Sequence, residues 1–481
     1  MPGIKKNFAY NSFLTVSNYI INLILFPYCA RVLGVERFGT TTFVQNVVEY
    51  FVFFSMMGIT HIGVREIAKQ KGKRNISQCY SSLLVLNLIY TAISLLVFVP
   101  LVFLIDRFIE LKTLFLLGAV NILFSTFKVE WLFRGIEDFR YITIRNIVIK
   151  VVYVLSVFVF VNSSDDYALF YCLTVLMTVA NATINYVYSR HIVNFTLKGI
   201  TPFKYLKSSL SLGVYSILTS MYTTFNVIYL GMVWNDVQVG YYTTAIKLYT
   251  VIVGFYSAFT GVMLPRLSSI LSNDDEKQYM MLLDKSFSLF YTIAIPCIAI
   301  LVVLAPEVIT LLAGHQYEAS INMSRIVIPV LFFVGLGQIL AFQVLIPRGM
   351  DKATLQASIV GAVVGVAFNL WLTSVYGAIG TCITVLMTEV CVTLFYLIVS
   401  VRRKVLIFNL SMLIKHLTLG IPYVAICYLL HWYFDENIVI VPLLSIALCF
   451  AWFLYSQKYI IHNEMVTETI SSINKRFFSS K

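Results

Sequence analysis

Apolar residues run through this chain in long unbroken stretches, where a soluble amphipathic helix would show a polar face. Phe8–Ala30, Ile76–Ile105, Tyr167–Ser189 and Ser208–Asn235 contain no Asp, Glu, Lys or Arg. About 20 such residues cross the hydrocarbon of a bilayer, where only helices and closed barrels satisfy the backbone. Continuous apolarity without period-two alternation predicts an all-α integral membrane bundle. Fourteen helices are expected, at roughly 8–30, 40–62, 80–105, 113–133, 142–161, 167–188, 209–232, 239–263, 286–305, 322–346, 353–374, 377–400, 413–433 and 438–457.

Composition agrees. Of 481 residues 59% are hydrophobic and only 12% charged, and mean hydropathy is +0.84. A soluble surface takes about 25% charged residues. The first apolar run follows Lys5 and Lys6 but is longer than the core of a signal peptide, so it reads as a retained helix.

The 35 basic residues fall unevenly. The N-terminus, the even-numbered connections and the C-terminal tail hold 27, the odd connections hold five (Arg31, Arg37, Arg107, Lys112, Arg325), and Lys128, Lys150 and Lys247 lie inside helices. This bias puts both termini in the cytoplasm of a bacterial inner membrane. It also accounts for the net charge of +12, so nucleic acid need not be a partner. Trp131, Trp234, Trp371 and Trp432 stand near helix ends, as an interfacial aromatic belt requires. The eight cysteines are isolated, which suits packing better than disulfides or metal.

The two halves echo each other. Asn11, Thr15, Asn18 and Asn22 in the first helix, and Tyr215, Thr219, Tyr222 and Asn226 in the seventh, both follow i, i+4, i+7, i+11, one stripe of a helix. Gly39-Thr-Thr-Thr then corresponds to Gly240-Tyr-Tyr-Thr at an offset of 201, with Asn46 matching Lys247, Glu49 matching Thr250 and Arg65 matching Arg266. Two parallel six-helix lobes are expected, 1–205 and 206–404, followed by a helix pair and tail over 405–481. The stripes either line a hydrated cavity between the lobes or join helices by hydrogen bonds.

Charges inside the membrane are the candidate chemistry. Lys247 lies about 12 Å along its helix, and a central lysine costs about 2.5–3.5 kcal/mol to insert. It lines the cavity or snorkels outward. Glu49 shares a stripe with Thr42, Gln45 and Asn46, and accepts a proton, pairs with a cation such as Lys247, or stays neutral. Glu389, beside Thr384 and Thr388, is a second protonation candidate or a packing residue. Arg31 and Arg37 flank a Leu-Gly turn at the outer mouth, with Arg325 in a similar setting, while Lys128, Glu130 and Lys150 fit snorkelling at cytoplasmic ends. Cations suit a phosphate or pyrophosphate, and the amides of Asn18, Asn22, Gln45, Asn46 and Asn226 with the Tyr222 hydroxyl suit sugar hydroxyls.

No connection is long enough for a soluble catalytic domain, and no nucleotide-binding, zinc-protease or nucleophile-elbow motif occurs. The reading is therefore a carrier with no catalytic residue, metal or cofactor, and not an enzyme.

Four stretches carry a family resemblance. Ala30-Arg31-Val-Leu-Gly34-Val-Glu36-Arg37-Phe-Gly39, Phe133-Arg134-Gly135-Ile-Glu137-Asp-Phe139-Arg-Tyr141, Val239-Gly240-Tyr241-Tyr242 through Leu264-Pro265-Arg266, and Tyr376-Gly377-Ala-Ile-Gly380 with Glu389 resemble the polysaccharide biosynthesis family. These are Wzx-type flippases of the multidrug/oligosaccharidyl-lipid/polysaccharide exporter superfamily. The resemblance implies a flippase for undecaprenyl-pyrophosphate-linked oligosaccharide in O-antigen, capsule or exopolysaccharide assembly. It also implies coupling to a proton or sodium gradient, membrane lipid as surroundings, and a polysaccharide polymerase and chain-length regulator as partners. The competing readings are an ion-coupled multidrug antiporter of the same superfamily and, further off, a polyprenyl-dependent glycosyltransferase or O-antigen polymerase.

Overall fold

The computed structural model describes residues 4–70, 75–221, 224–406, 408–434 and 437–461, and among them it is helical with no strand. In chain order the helices are α1 (Ile4–Met56), α2 (Ile59–Gln70), α3 (Ile76–Leu104), α4 (Asp106–Glu110), α5 (Lys112–Ser125), α6 (Glu130–Gly135), α7 (Phe139–Phe160), α8 (Tyr167–Ser189), α9 (Leu206–Met221) and α10 (Thr224–Val233). There follow α11 (Asp236–Ser272), α12 (Glu276–Val303), α13 (Ala305–Ala313), α14 (Ser320–Val327), α15 (Val330–Ile339), α16 (Asp351–Phe368), α17 (Ser374–Arg402), α18 (Leu410–Tyr433) and α19 (Ile440–Ser456).

Eleven helical stretches among the described residues are long and apolar enough to cross a membrane, so the chain is a multi-pass membrane protein. Two of them, Phe13–Gln70 with 58 residues and Asp351–Arg402 with 52, exceed one crossing. At 1.5 Å per residue they would run about 87 and 78 Å against about 30 Å of hydrocarbon. Each bends at a glycine in the left-handed region, Gly34 (φ 72°) in the first and Gly377 (φ 59°) in the second. Only glycine takes that backbone without a steric cost. Elsewhere helices begin on side-chain caps: Asp138, Asp275 and Asn409 accept the amides of Tyr141, Gln278 and Met412 at 3.2, 2.9 and 3.0 Å.

The chain forms two compact units, residues 1–247 with 355–392, and residues 248–354 with 393–481. The first has a core of Tyr80, Leu83, Trp131, Phe133 and Ile62, gathered from α2, α3 and α6. Trp131 was expected in the interfacial belt. It is instead 1% exposed, its ring packed against Tyr80 at 5.6 Å and against the bare backbone of Gly63, whereas Trp371 and Trp432 are 63% and 78% exposed. The second unit is centred on Tyr279, Phe287, Phe290, Tyr291, Leu331 and Ile339 of α12 and α15. Helix α18 joins it through Thr292 and His416, 3.3 Å apart.

One contact in the first unit mirrors the repeat. A β-carbon on Gly39 would stand 1.8 Å from the carbonyl oxygen of Asp236, and one on Gly240 would stand 2.2 Å from that of Val35. Positions 35 and 236, like 39 and 240, are related by the offset of 201. The contact is thus reciprocal, as an isologous two-fold contact must be. Polar groups pin the seam: Thr40 Oγ1 donates to Asp236 Oδ2 at 2.5 Å, and Arg107 Nη2 donates to Oδ1 at 2.5 Å. Burial alone would pull the Arg107 guanidinium down, yet Glu110 and Asp236 hold it above its ordinary value.

Because backbone atoms occupy the space, Gly39→Ala and Gly240→Ala should each destabilise the protein by about 1–3 kcal/mol. This is measured as a lower midpoint of thermal unfolding in detergent. Gly261→Ala, where nothing lies within 4 Å, should leave that midpoint unchanged.

Candidate functional site

The fourth expected helix is not continuous. Helix α5 ends at Ser125, a tight turn covers Thr126–Lys128, and Val129 takes φ 35° before α6 begins. A β-branched residue at positive φ costs about 1–3 kcal/mol and persists only when its surroundings impose it. Here they do. Asn87 Nδ2 donates to the Thr126 carbonyl at 3.4 Å, the Thr91 and Thr126 hydroxyls meet at 2.5 Å, and the Asn185 amide donates to the Lys128 carbonyl. Side chains from α3 and α8 thereby take over carbonyls that a broken ladder would leave exposed.

Charge collects at the break. Arg145 of α7 is 7% exposed and donates to Asn185 Oδ1, to Asn146 Oδ1 at 2.7 Å and to Glu130 Oε1 at 3.3 Å. Its guanidinium lies 5.6 Å from the centre of the Tyr141 ring, which stacks on Tyr188 at 3.9 Å. Lys128 is half-buried and feels the charges of Glu49, Glu130 and Arg145. Glu49 in turn is coupled to Lys128 and to the Tyr171 hydroxyl. Its side chain keeps accessible surface. The Oδ1 atoms of Asn18, Asn121 and Asn181 and the Tyr171 hydroxyl are buried with no protein partner among the described residues. Buried oxygens of that kind call for water or a polar ligand.

The expected residues have separate fates. Lys247 resembles Glu49, accessible yet densely surrounded, with Cys29 of α1 as its electrostatic neighbour. Asn22 and Gln45 are exposed, Asn18 is half-buried, and half-buried Asn46 turns its amide to the Thr42 carbonyl at 2.8 Å. Arg31 is exposed, and Arg37 lies over the Tyr167 ring at 4.6 Å. Glu389 is half-buried among Thr384 and Thr388, both fully buried. Arg325 belongs to the second unit, exposed, with Nε 3.4 Å from the Val302 carbonyl. Tyr222 lies outside the described residues.

Asn226 is 1% exposed and belongs to a buried network, its amide donating to the Tyr242 hydroxyl at 3.5 Å. The Asn369 amide donates to Asn226 Oδ1, the Thr373 hydroxyl reaches Asn369 at 2.6 Å, and Thr373 meets Thr381 at 3.0 Å. These residues sit where the backbone widens into a π-turn over Asn369–Thr373, a common accommodation around polar sites.

Two features escaped the sequence reading. Thr174, Thr178, Asn181 and Asn185 on α8 follow the same i, i+4, i+7, i+11 spacing as the first helix, and the periodicity was there to find. Lys128 had no such signal, because the break that sets it in the interior is imposed by distant side chains. Among the described residues no three His, Cys, Asp or Glu side chains are placed to hold a metal ion.

Residues 4–271 match the model of a family described as polysaccharide biosynthesis protein. Two relatives carry the name "Putative O-antigen transporter". One, from Shigella dysenteriae, is 28% identical over 82% of this chain and 99% of its own length. The other, from Escherichia coli K12, is 23% identical over 84% and 98%. Among solved structures, the lipid II flippase MurJ in an inward closed conformation superposes with a TM-score of 0.77 over 94% of this chain and 99% of its own, at 14% identity. An inward-facing multidrug resistance MATE transporter of the MOP superfamily gives 0.57 over 79% and 94%, at 15% identity. The fold is therefore shared with both of these transporter groups, and the chain belongs to the polysaccharide biosynthesis protein family.

Proposed function

We propose that this protein is a flippase that moves undecaprenyl-pyrophosphate-linked oligosaccharide units from the cytoplasmic to the periplasmic leaflet by alternating access. The units serve O-antigen, capsule or exopolysaccharide assembly. The carrying observation is the alignment with two relatives named as O-antigen transporters over 99% and 98% of their lengths. The polar interior supports it: Lys128 at the helix break and Lys247 on α11 offer positive charge to an anionic head group.

In this reading the protein sits in the inner membrane with both termini in the cytoplasm. Fourteen crossings fit the eleven long stretches, two of them long enough for two crossings each, together with the α9–α10 pair. The lobes are residues 1–205 and 206–404, and residues 405–481 add a further helix pair and tail. Lys247, Arg31 and Arg325 attract the pyrophosphate, while Asn18, Asn22, Gln45, Asn46, Asn226 and Tyr222 serve the sugars. Glu49 and Glu389 couple transport to a proton or sodium gradient. A polymerase and a chain-length regulator take the product onward. No catalytic step is required of the chain. A multidrug antiporter shares the fold, but a site for organic cations has no use for interior lysines.

Surface-polysaccharide restoration in a flippase-deficient strain tests this. Lys247→Ala should lower it at least about tenfold at equal protein abundance, the cost of one lost charged contact, while exposed Lys415→Ala leaves it intact. Equal activity of the two variants, or drug resistance in place of glycan export, overturns the proposal.

The coupling of Glu49 to Lys128 gives a second prediction. Glu49→Gln and Lys128→Met should each reduce restoration by about tenfold, and the double variant should fall no further, because interacting groups are non-additive. Independent sites would give multiplied losses.

A further inference from the structure

The connection between α8 and α9 combines features that a solvated loop lacks. From Ser189 to Ser208 it carries Arg190, Lys198, Lys204 and Lys207 and no Asp or Glu. Among the described residues none of these four forms an ion pair, and nearby Glu66 is already held by Arg65 and Lys69 at 2.9 Å each. Between the cations stand three bulky apolar side chains turned outward: Phe195 is 45% exposed, Leu197 67% and Phe203 68%.

These side chains are held at a definite level. Val193 is buried in the core of the first unit. The amides of Asn194, Thr196 and Thr201 donate to the hydroxyls of Ser77, Ser81 and Ser82 at 3.1, 2.9 and 3.0 Å. Those serines occupy the first two turns of α3, which at 29 residues is about 43 Å long. Since the hydrocarbon is about 30 Å thick, the first turns of α3 reach the head-group layer. The loop is laced to the helix at that level. Gly199, at φ 71°, turns the chain back so that Phe203 and Lys204 follow on the same stretch.

We infer that residues 190–207 are a built interfacial anchor for anionic glycerophospholipid, with Phe195, Leu197 and Phe203 at the head-group and acyl boundary and Lys198, Lys204 and Lys207 on the lipid phosphates. Apolar insertion beside unneutralised lysines is the physical basis of peripheral attachment to anionic membranes. Here it occurs inside an integral protein, so it selects neighbouring lipid instead of recruiting the chain.

The test uses full-length protein in nanodiscs containing phosphatidylglycerol or phosphatidylcholine brominated high on the acyl chain. The readout is the tryptophan emission that Phe203→Trp adds over the parent protein. In mixed discs, brominated phosphatidylglycerol should quench this increment at least about twofold more than brominated phosphatidylcholine at equal mole fraction. Lys198→Gln with Lys204→Gln and Lys207→Gln should equalise the two lipids while quenching persists. An increment quenched by neither lipid means the segment lies in water and overturns the inference. Equal quenching with the lysines intact removes the anionic selectivity and overturns it as well. Phosphatidylglycerol retained by the parent in native mass spectrometry, and lost from the triple glutamine variant, is the second expected result; equal retention contradicts the assignment.

Discussion

A backbone in lipid has no water to turn to, and that constraint organises this protein. Several departures from regular helix are answered by specific groups. At Gly34 and Gly377 the answer is a missing side chain, which lets the chain take a left-handed turn between two long apolar stretches. At Thr126–Val129 it is the amides of Asn87 and Asn185, with the Thr91 hydroxyl meeting that of Thr126. At Asn369–Thr373 the helix widens where Asn226, Thr373 and Thr381 meet. Polar side chains in this bundle are therefore seldom decoration, since they allow the helices to break where function needs breaks.

The same economy governs charge. An ion in hydrocarbon must be paired, hydrated or carried to the interface. Arg145 takes the first course, buried among Asn185, Asn146 and Glu130. Glu49 and Lys247 are surrounded by protein yet keep accessible surface. Lys128 stands between these regimes, near Arg145 on one side and Glu49 on the other.

Much of this was legible in the sequence. Helices could be read from hydrophobicity because the bilayer leaves few other options, and Gly39 and Gly240 could be matched because the repeat is ungapped there. What local pattern could not show was where distant side chains intervene. The break at Thr126–Val129 has no signal in hydrophobicity, because distant side chains of α3 and α8 stabilise it. Similar depth in the sequence suggests Lys247 as a partner for Glu49, and the structure adds Lys128 as an electrostatic neighbour that depth alone does not reveal. Trp131 looked like an interfacial anchor until Gly63 and Tyr80 were seen to enclose it. The α8 stripe of Thr174, Thr178, Asn181 and Asn185 is legible in the sequence by the same spacing as the first helix.

Gly39 and Gly240 meet in a reciprocal seam. Each half presses its bare backbone against the other's carbonyl, so neither position can acquire bulk unless its counterpart retreats. A joint made this way offers mutation no graded adjustment. Any change of shape along these helices must therefore spare this crossing.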